Sequence, residues 1–243
     1  MAIDLDQLLT VPEAARLLGV SAPRVYALID SGTLPALRRG SQYLIHAADV
    51  EARQAQGIAN GRPLDQATAW AVLWLAIGDN PGNLGPSGAS LSRNTRWRVR
   101  QRLGHGPLAD LLVALAPRLR NRGKLLRLRA HPSDLARLAN EPDLVRTGVS
   151  AAEDVGADIV APGVFEAYAR ATRLDSIRKH YLLQESSNPN GLLRVVNEPW
   201  PFPAGAQTAP ASAVALDLLD SPDERTRRAG RQLLRTLERQ AES

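Results

Sequence analysis

The sequence predicts an α+β protein that is mostly helical, in which a small N-terminal module precedes a larger mixed α/β domain. Two capped helical patterns, joined by a glycine turn, lie between Thr10 and Gly32. A segment that contains glycine and proline follows at 57–63, and beyond it apolar helical patterns alternate with short strand-like runs. The chain of 243 residues is long enough for two domains.

The first helix is predicted to begin after Thr10. Thr10 and Glu13 have the spacing of a capping box, in which each residue's side chain accepts a hydrogen bond from the other's backbone amide. Pro12 suits the first turn because it has no amide hydrogen to satisfy. The apolar positions within 14–18 lie on one side of this helix, and Gly19 is expected to end it.

A second helix is predicted to begin at Ser21, which is expected to cap it, and to end near Ser31 and Gly32. Its apolar stripe consists of Val25, Leu28 and Ile29. Two short helices joined by a turn of three or four residues that contains glycine form a helix-turn-helix.

The exposed N-terminal half of that second helix carries the first candidate site residues. In complexes of helix-turn-helix proteins, this part of the second helix meets base edges and phosphates in the major groove. The candidates for DNA contact are Ser21, Arg24 and Tyr26, with Arg24 as the candidate base contact. An alternative is that Arg24 is only a solvated charge, because exposed arginines are common on helices.

Two short extended runs on either side of Gly40 predict a β-hairpin, and Asp49 and Val50 begin another helical turn. A hairpin placed after a helix-turn-helix is a wing. We expect the wing to lie along the phosphate backbone or the minor groove and to contact it through Arg38, Arg39 and Gln42. A purely structural helical hairpin followed by a turn is the alternative.

The run from Leu9 to Val50 resembles the excisionase-type, MerR-related winged helix-turn-helix. It carries a V-x-E-A-A-x-L-L-G-V-S unit, read here as VPEAARLLGVS, followed by GTLPALRRG. This resemblance implies that Ser21, Arg24 and Tyr26 lie on the recognition helix. It places Arg38, Arg39 and Tyr43 on the wing.

A domain boundary is predicted near residue 60, between a winged helix-turn-helix domain of residues 1–58 and a second domain of residues 64–243. The second domain begins with a buried helix over 67–77, in which Trp70 and Trp74 are expected to be core residues. Further helices are predicted over 111–115, 131–138, 168–181, 211–219 and 223–238. Leu182 and Leu183 are expected to form a strand that meets a strand over 192–196 across a turn.

Positive charge is concentrated in the middle of the chain, whose formal net charge is +5. Residues 93–129 contain eleven arginines or lysines and one acid, Asp110. The period leaves open whether the first part is a strand or a helix, although Ser92 as a cap favours a helix. This stretch suits a phosphate backbone, an acidic protein partner or simply a solvated face. Its candidate DNA contacts are Arg93, Arg96 and Arg100.

The second domain resembles actinobacterial regulators of the AbiEi type over residues 62–238. The motifs occur in the order LRAHPSDL, SAAEDVG, LLRVV, WPF, APASAVALDLLDS and RRAGRQLL. AbiEi-type proteins are the antitoxins of toxin-antitoxin pairs whose toxin is a nucleotidyltransferase. The resemblance implies an antitoxin that represses its own operon and opposes such a toxin.

No catalytic, metal or cofactor site is expected. The chain has no cysteine, which excludes disulfides, thiol catalysis and thiolate metal sites. Its four histidines do not have the spacing of a metal motif, and no serine has the G-x-S-x-G setting of a hydrolase nucleophile. No signal peptide or apolar run long enough for a membrane span is recognisable, so a cytoplasmic protein is expected.

The function predicted from these observations is transcriptional regulation rather than catalysis. Its expected partner is operator DNA, with a nucleotidyltransferase toxin and a second copy of the chain as further partners. Two alternatives stay open: an excisionase-like architectural factor that bends DNA, and a module that sequesters a protein partner.

Overall fold

The computed structural model describes residues 8–55, 63–76, 84–103 and 108–241. The predicted α+β class, mostly helical, is confirmed. The predicted boundary near residue 60 and the end of the 67–77 helix at Ile77 lie outside the described residues.

The N-terminal module contains, in order, β1 (Leu8–Thr10), α1 (Val11–Leu18), α2 (Ala22–Asp30), β2 (Leu37–Arg39), β3 (Gln42–His46) and α3 (Ala47–Ala55).

The rest of the described chain, residues 63–241, is here called the body. Its helices are α4 (Gln66–Leu75), α5 (Arg93–Leu103), α6 (Leu108–Leu115), α7 (Leu135–Leu138), α8 (Leu174–His180), α9 (Ala211–Leu219) and α10 (Glu224–Ala241). Its strands are β4 (Lys124–Arg129), β5 (Leu144–Arg146), β6 (Phe165–Arg170), β7 (Gln184–Glu185) and β8 (Gly191–Val196). The strand-or-helix question at Arg93 is therefore settled in favour of a helix, and the Ser92 hydroxyl accepts from the Thr95 amide at 3.2 Å as a cap.

The N-terminal module has its own small core. Val25, Leu28 and Ile29 of α2 pack with Val11, Ala14 and Ala15 of α1 and with Ile45 of β3. The two-stranded hairpin of β2 and β3 is present, and β1 adds a third antiparallel strand along β3. This third strand was not predicted, because three residues are too few to show an alternating pattern.

The body is built in three layers around a five-stranded sheet of order β5-β6-β8-β4-β7. Neighbouring strands are antiparallel except β6 and β8, which are parallel. On one face, Leu138 of α7 and Ile177 of α8 pack against Leu128 and Leu193. On the other face, α4, α9 and α10 pack against Tyr168 and Val196.

Two predictions about local structure in the body are wrong. Tyr168 lies in β6 rather than at the start of a helix, because β6 is buried on both faces and loses the alternation that marks a strand. Leu182 has a left-handed φ of 49° in a turn, so the predicted strand of Leu182 and Leu183 is absent. The short strand that follows is β7, which pairs with β4 and not with β8.

A cluster of charged side chains is buried between the sheet and α9. Asp217, 2% exposed, accepts from Arg122 at 2.5 and 3.0 Å and from the Tyr168 hydroxyl at 2.7 Å, and it pairs with Arg194 at 2.9 Å. Arg122 also bonds to Asp220 at 2.5 Å. These groups, with Glu166, are here called the buried charge cluster. Their mutual pairing makes their removal from water tolerable.

Glu166 gives this cluster a dependence on pH. Burial raises the pKa of its carboxyl to about 7, against the opposing effect of Arg194, which lies 3.5 Å away. The folded protein thus holds this proton more tightly than the unfolded chain does. Ionisation of Glu166 therefore costs stability as the pH rises from the unfolded pKa towards and past the folded one.

We expect Glu166→Gln to remove this loss of stability. Between about pH 5 and about pH 8, the free energy of unfolding of the variant should gain about 2 kcal/mol relative to the unsubstituted protein. Urea unfolding followed by tryptophan fluorescence at both pH values measures it. Glu198→Gln, at an exposed carboxyl, is the matched control. A constant difference between variant and parent at both pH values would contradict the expectation.

Candidate nucleic-acid interface

The second helix of the module, α2, exposes its N-terminal half. Ser21, Arg24 and Tyr26 are exposed, whereas the residues at the positions that face the module's core are buried: Val25, Leu28 and Ile29. This division follows from the helical period, because residues three and four apart share one face. The three predicted contact residues of α2 are therefore free to meet a ligand.

The turn before α2 is fixed by local hydrogen bonds. Gly19 adopts a left-handed φ of 65°, and the amides of Gly19 and Val20 donate to carbonyls in the last turn of α1. At the start of α1, the Glu13 carboxylate accepts from both the amide and the hydroxyl of Thr10, at 2.7 Å each. Ser21 stands at the N-cap position of α2, but its hydroxyl makes no capping bond, so that part of the prediction is wrong.

The β2–β3 hairpin, the predicted wing, turns at Gly40, which has a left-handed φ of 62°. Arg39 and Gln42 face each other across the hairpin, and both are exposed, as is Arg38. The Arg38 Nε donates to the Gly40 carbonyl at 3.3 Å. The wing thus presents two guanidinium groups at its tip.

An aromatic pair connects the wing to α2. The Tyr26 and Tyr43 rings meet edge to face, with centroids 6.1 Å apart and an angle of 66° between their planes. Tyr26 is 47% exposed and Tyr43 is half-buried, so the pair lies at the surface between α2 and the hairpin. This contact packs the predicted wing against α2.

The far end of α2 is anchored to the body. The Thr33 hydroxyl donates to Asn121 at 3.4 Å, and Asp49 of α3 forms an ion pair with Arg127 of β4. Gly32, with a φ of 69°, lies so close to Lys124 that an added Cβ would come within 3.1 Å of that residue's Cα. These contacts hold the module to the body beyond the C-terminal end of α2, whereas its N-terminal half stays exposed.

Positive charge accumulates beside α2 from both parts of the chain. Desolvation, followed by the charges of Arg120 and Arg24, lowers the pKa of Arg53 to about 10. Arg24 makes no ion pair with any residue that the structure describes. Arg53 and Arg120 were not predicted as site residues, because only the folding of α3 against the body brings Arg53 near both Arg24 and Arg120.

The basic stretch of residues 93–129 does not form one surface. Arg93, Arg96 and Arg100 are exposed on α5, which packs against α4. The Arg96 Nε donates to the Leu91 carbonyl at 2.9 Å. Arg122 belongs to the buried charge cluster, and Arg127 pairs with Asp49. The structure thus gathers seven of the predicted residues in the module and places the three α5 arginines on a separate helix.

In the module, the short helices α1 and α2 are joined by a three-residue turn with a left-handed glycine, and a hairpin contacts α2. Residues 8–57 match the helix-turn-helix domain family. This match confirms the fold predicted for the N-terminal segment.

Two curated relatives from Mycobacterium tuberculosis are similar to part of the chain. Putative DNA-binding protein MT0521 of strain CDC 1551 / Oshkosh and Putative DNA-binding protein Rv0500A of strain ATCC 25618 / H37Rv are each 50% identical to it over 44 residues. The similarity covers 18% of this chain and 56% of each relative, so the chain spans about half the length of the curated relatives it matches. No solved structure matches the chain significantly.

The described part of the chain lacks two further features. None of its helices combines the length and the apolar character that a membrane span requires. Within the same residues, no three histidine, aspartate or glutamate side chains are grouped as metal ligands would be.

Proposed function

We propose that this chain binds duplex DNA through α2 and the wing and acts as a transcriptional regulator. The observation that carries the proposal is the exposure of Ser21, Arg24 and Tyr26 on a helix whose other face is buried and whose far end is anchored. A recognition helix held in this way can enter a major groove without rearrangement of the module. The helix-turn-helix match and the names of the two relatives support the DNA-binding part of this proposal.

A gel-shift titration tests this proposal. The full chain is titrated against the duplex upstream of its own gene and against a scrambled duplex of the same length and composition, at one fixed salt concentration. Specific binding should be at least about a thousandfold tighter than binding to the scrambled duplex. Equal affinity for the two would contradict sequence-specific regulation, and no shift with either would contradict DNA binding.

The wing is expected to contribute through phosphates rather than bases. Arg38→Ala and Arg39→Ala should each weaken binding to the upstream and scrambled duplexes by the same factor. Each should also reduce the slope of log affinity against log salt concentration by about 1, because each phosphate contact releases about one counterion. Arg228→Ala, at an exposed position of α10, is the matched control for loss of one positive charge. An unchanged salt slope in both wing variants would place the wing away from the DNA.

We also propose, from the resemblance of residues 62–238 to AbiEi-type regulators, that this regulator is an autoregulating antitoxin. The proposal requires a neighbouring gene that encodes a nucleotidyltransferase. Co-expression of the two products, with a tag on this chain alone, tests whether they interact directly. Purification of this chain without the neighbouring product would contradict direct sequestration.

A further inference from the structure

The body contains a cavity of about 450 Å³ that neither the wing nor α2 touches. Its floor is the sheet face that carries Glu166, Leu192 and Arg194 on adjacent strands. Its walls are the loop that includes Ile159 and Val164 and the turn between α9 and α10. Cavities of about 300 to 1,000 Å³ hold small organic ligands in proteins.

The lining of this cavity is largely apolar. Val149, Ile159, Val164 and Leu192 contribute aliphatic surface, and Pro189 and Pro222 extend it. Two of the valines in the adjoining loop are unusually exposed for their type, with Val160 at 79% and Val164 at 38%. The apolar part of a ligand would cover aliphatic surface that is otherwise in contact with water.

The acidic groups around the cavity already form hydrogen bonds or ion pairs within the protein. Asp217 and Asp220 bond to Arg122, and Asp223 accepts from the amide and hydroxyl of Thr226 at 2.7 Å each. Burial raises the pKa of Glu166 to about 7, so this carboxyl is partly neutral near that pH. The hydrogen bonds from Thr226 lower the pKa of Asp223 and keep this carboxylate ionised at the rim, whereas Asp217 and Asp220 are paired with arginines.

Two arginine side chains of the lining have fewer interactions within the described part of the protein. The Arg127 Nε is buried without a hydrogen-bond partner among the described residues, although the guanidinium pairs with Asp49 through another nitrogen. Arg225 is exposed and makes no ion pair within the described part of the chain. Both residues line the cavity. A guanidinium is a strong donor to carboxylate oxygens, so these two groups favour an anionic ligand.

We propose that this cavity binds a small organic acid that carries an apolar chain. Arg127 and Arg225 neutralise the negative charge of the acid. The apolar part lies against the aliphatic lining, and the acid group pairs with these guanidiniums. The residues that line the cavity all belong to the body, and the proposal does not depend on whether the module binds DNA.

Isothermal titration calorimetry on the full chain tests the proposal with three probes that share one alkyl chain: octanoate, octan-1-ol and octylammonium. Octanoate should bind at a single site about tenfold more tightly than octan-1-ol, and octylammonium should bind more weakly than either. The difference between octanoate and octan-1-ol isolates the contribution of the charge.

Two variants connect the probe to the cavity. Arg225→Gln should weaken octanoate binding towards that of octan-1-ol and leave octan-1-ol unchanged. Arg228→Gln, on the same helix but outside the cavity, should change neither. Ala161→Trp should fill the space and abolish binding of both probes, with thermal melting as the control for folding. The proposal is overturned by equal affinity for octanoate and octylammonium, by octanoate binding that survives Ala161→Trp, or by the absence of any binding.

Discussion

Replacing Asp217 with asparagine should lower the free energy of unfolding of the body by about 3 to 5 kcal/mol. Asp217 is 2% exposed, and its carboxylate serves Arg122, Arg194, Tyr168 and Thr147 together. The asparagine amide has nearly the same shape, so the substitution removes the charge without opening a cavity. Two buried guanidiniums would then share only Asp220 and Glu166 as acidic partners.

The effect is large because the substitution leaves buried charges without their partner. A charge left buried without its partner keeps its full desolvation cost, which is several kcal/mol. The same substitution at a surface pair costs less than about 1 kcal/mol, because water replaces the lost partner. Asp143 supplies that comparison, because its carboxylate lies 3.5 Å from the Arg173 Nε and both side chains are in contact with water.

Urea unfolding followed by tryptophan fluorescence measures the effect cleanly, because all four tryptophans lie in the body at positions 70, 74, 97 and 200. Asp217→Asn and Asp143→Asn are compared in parallel with the unsubstituted chain. If Asp217→Asn cost no more than Asp143→Asn, the buried charge cluster would not be a principal support of the fold.

The helix-turn-helix could be predicted in detail because its signals are local. Gly19 ends one helix, the Thr10 and Glu13 pair begins it, and the apolar spacing of Val25, Leu28 and Ile29 assigns the faces of the next. Each of these signals lies within one turn of the residue that it affects. The exposure of Arg24 could be inferred from the same spacing.

The body was predicted less completely because its decisive contacts join distant segments. Arg122 and Asp217 are 95 positions apart, and in the sequence each resembles an ordinary solvated charge. The basic stretch of residues 93–129 looks like a single positive surface in the sequence, because the partners of its arginines lie far away along the chain. The fold buries Arg122 and leaves Arg93 in water. The parallel pairing of β6 and β8 likewise depends on a crossover that no local pattern marks.

The second large effect is expected for a substitution in α2, the proposed recognition helix. Arg24→Ala should weaken binding to the upstream duplex by about 1 to 3 kcal/mol and relax the preference at one base pair. Arg24 is exposed near the start of α2 and makes no ion pair within the described residues, so its guanidinium is available to the two acceptors of a guanine edge. The nearby charge of Arg53 would strengthen its attraction to DNA.

A gel-shift titration with a set of single-base variants of the upstream duplex separates base recognition from charge. Arg16→Ala, at an exposed arginine of α1 in the same module, is the matched control and should weaken all duplexes slightly and equally. Loss of affinity for every duplex by the same factor in Arg24→Ala would identify Arg24 as a phosphate contact. Unchanged affinity for all of them, with unchanged thermal melting, would show that α2 does not enter the groove, since a guanidinium seated on a base edge cannot be removed without cost.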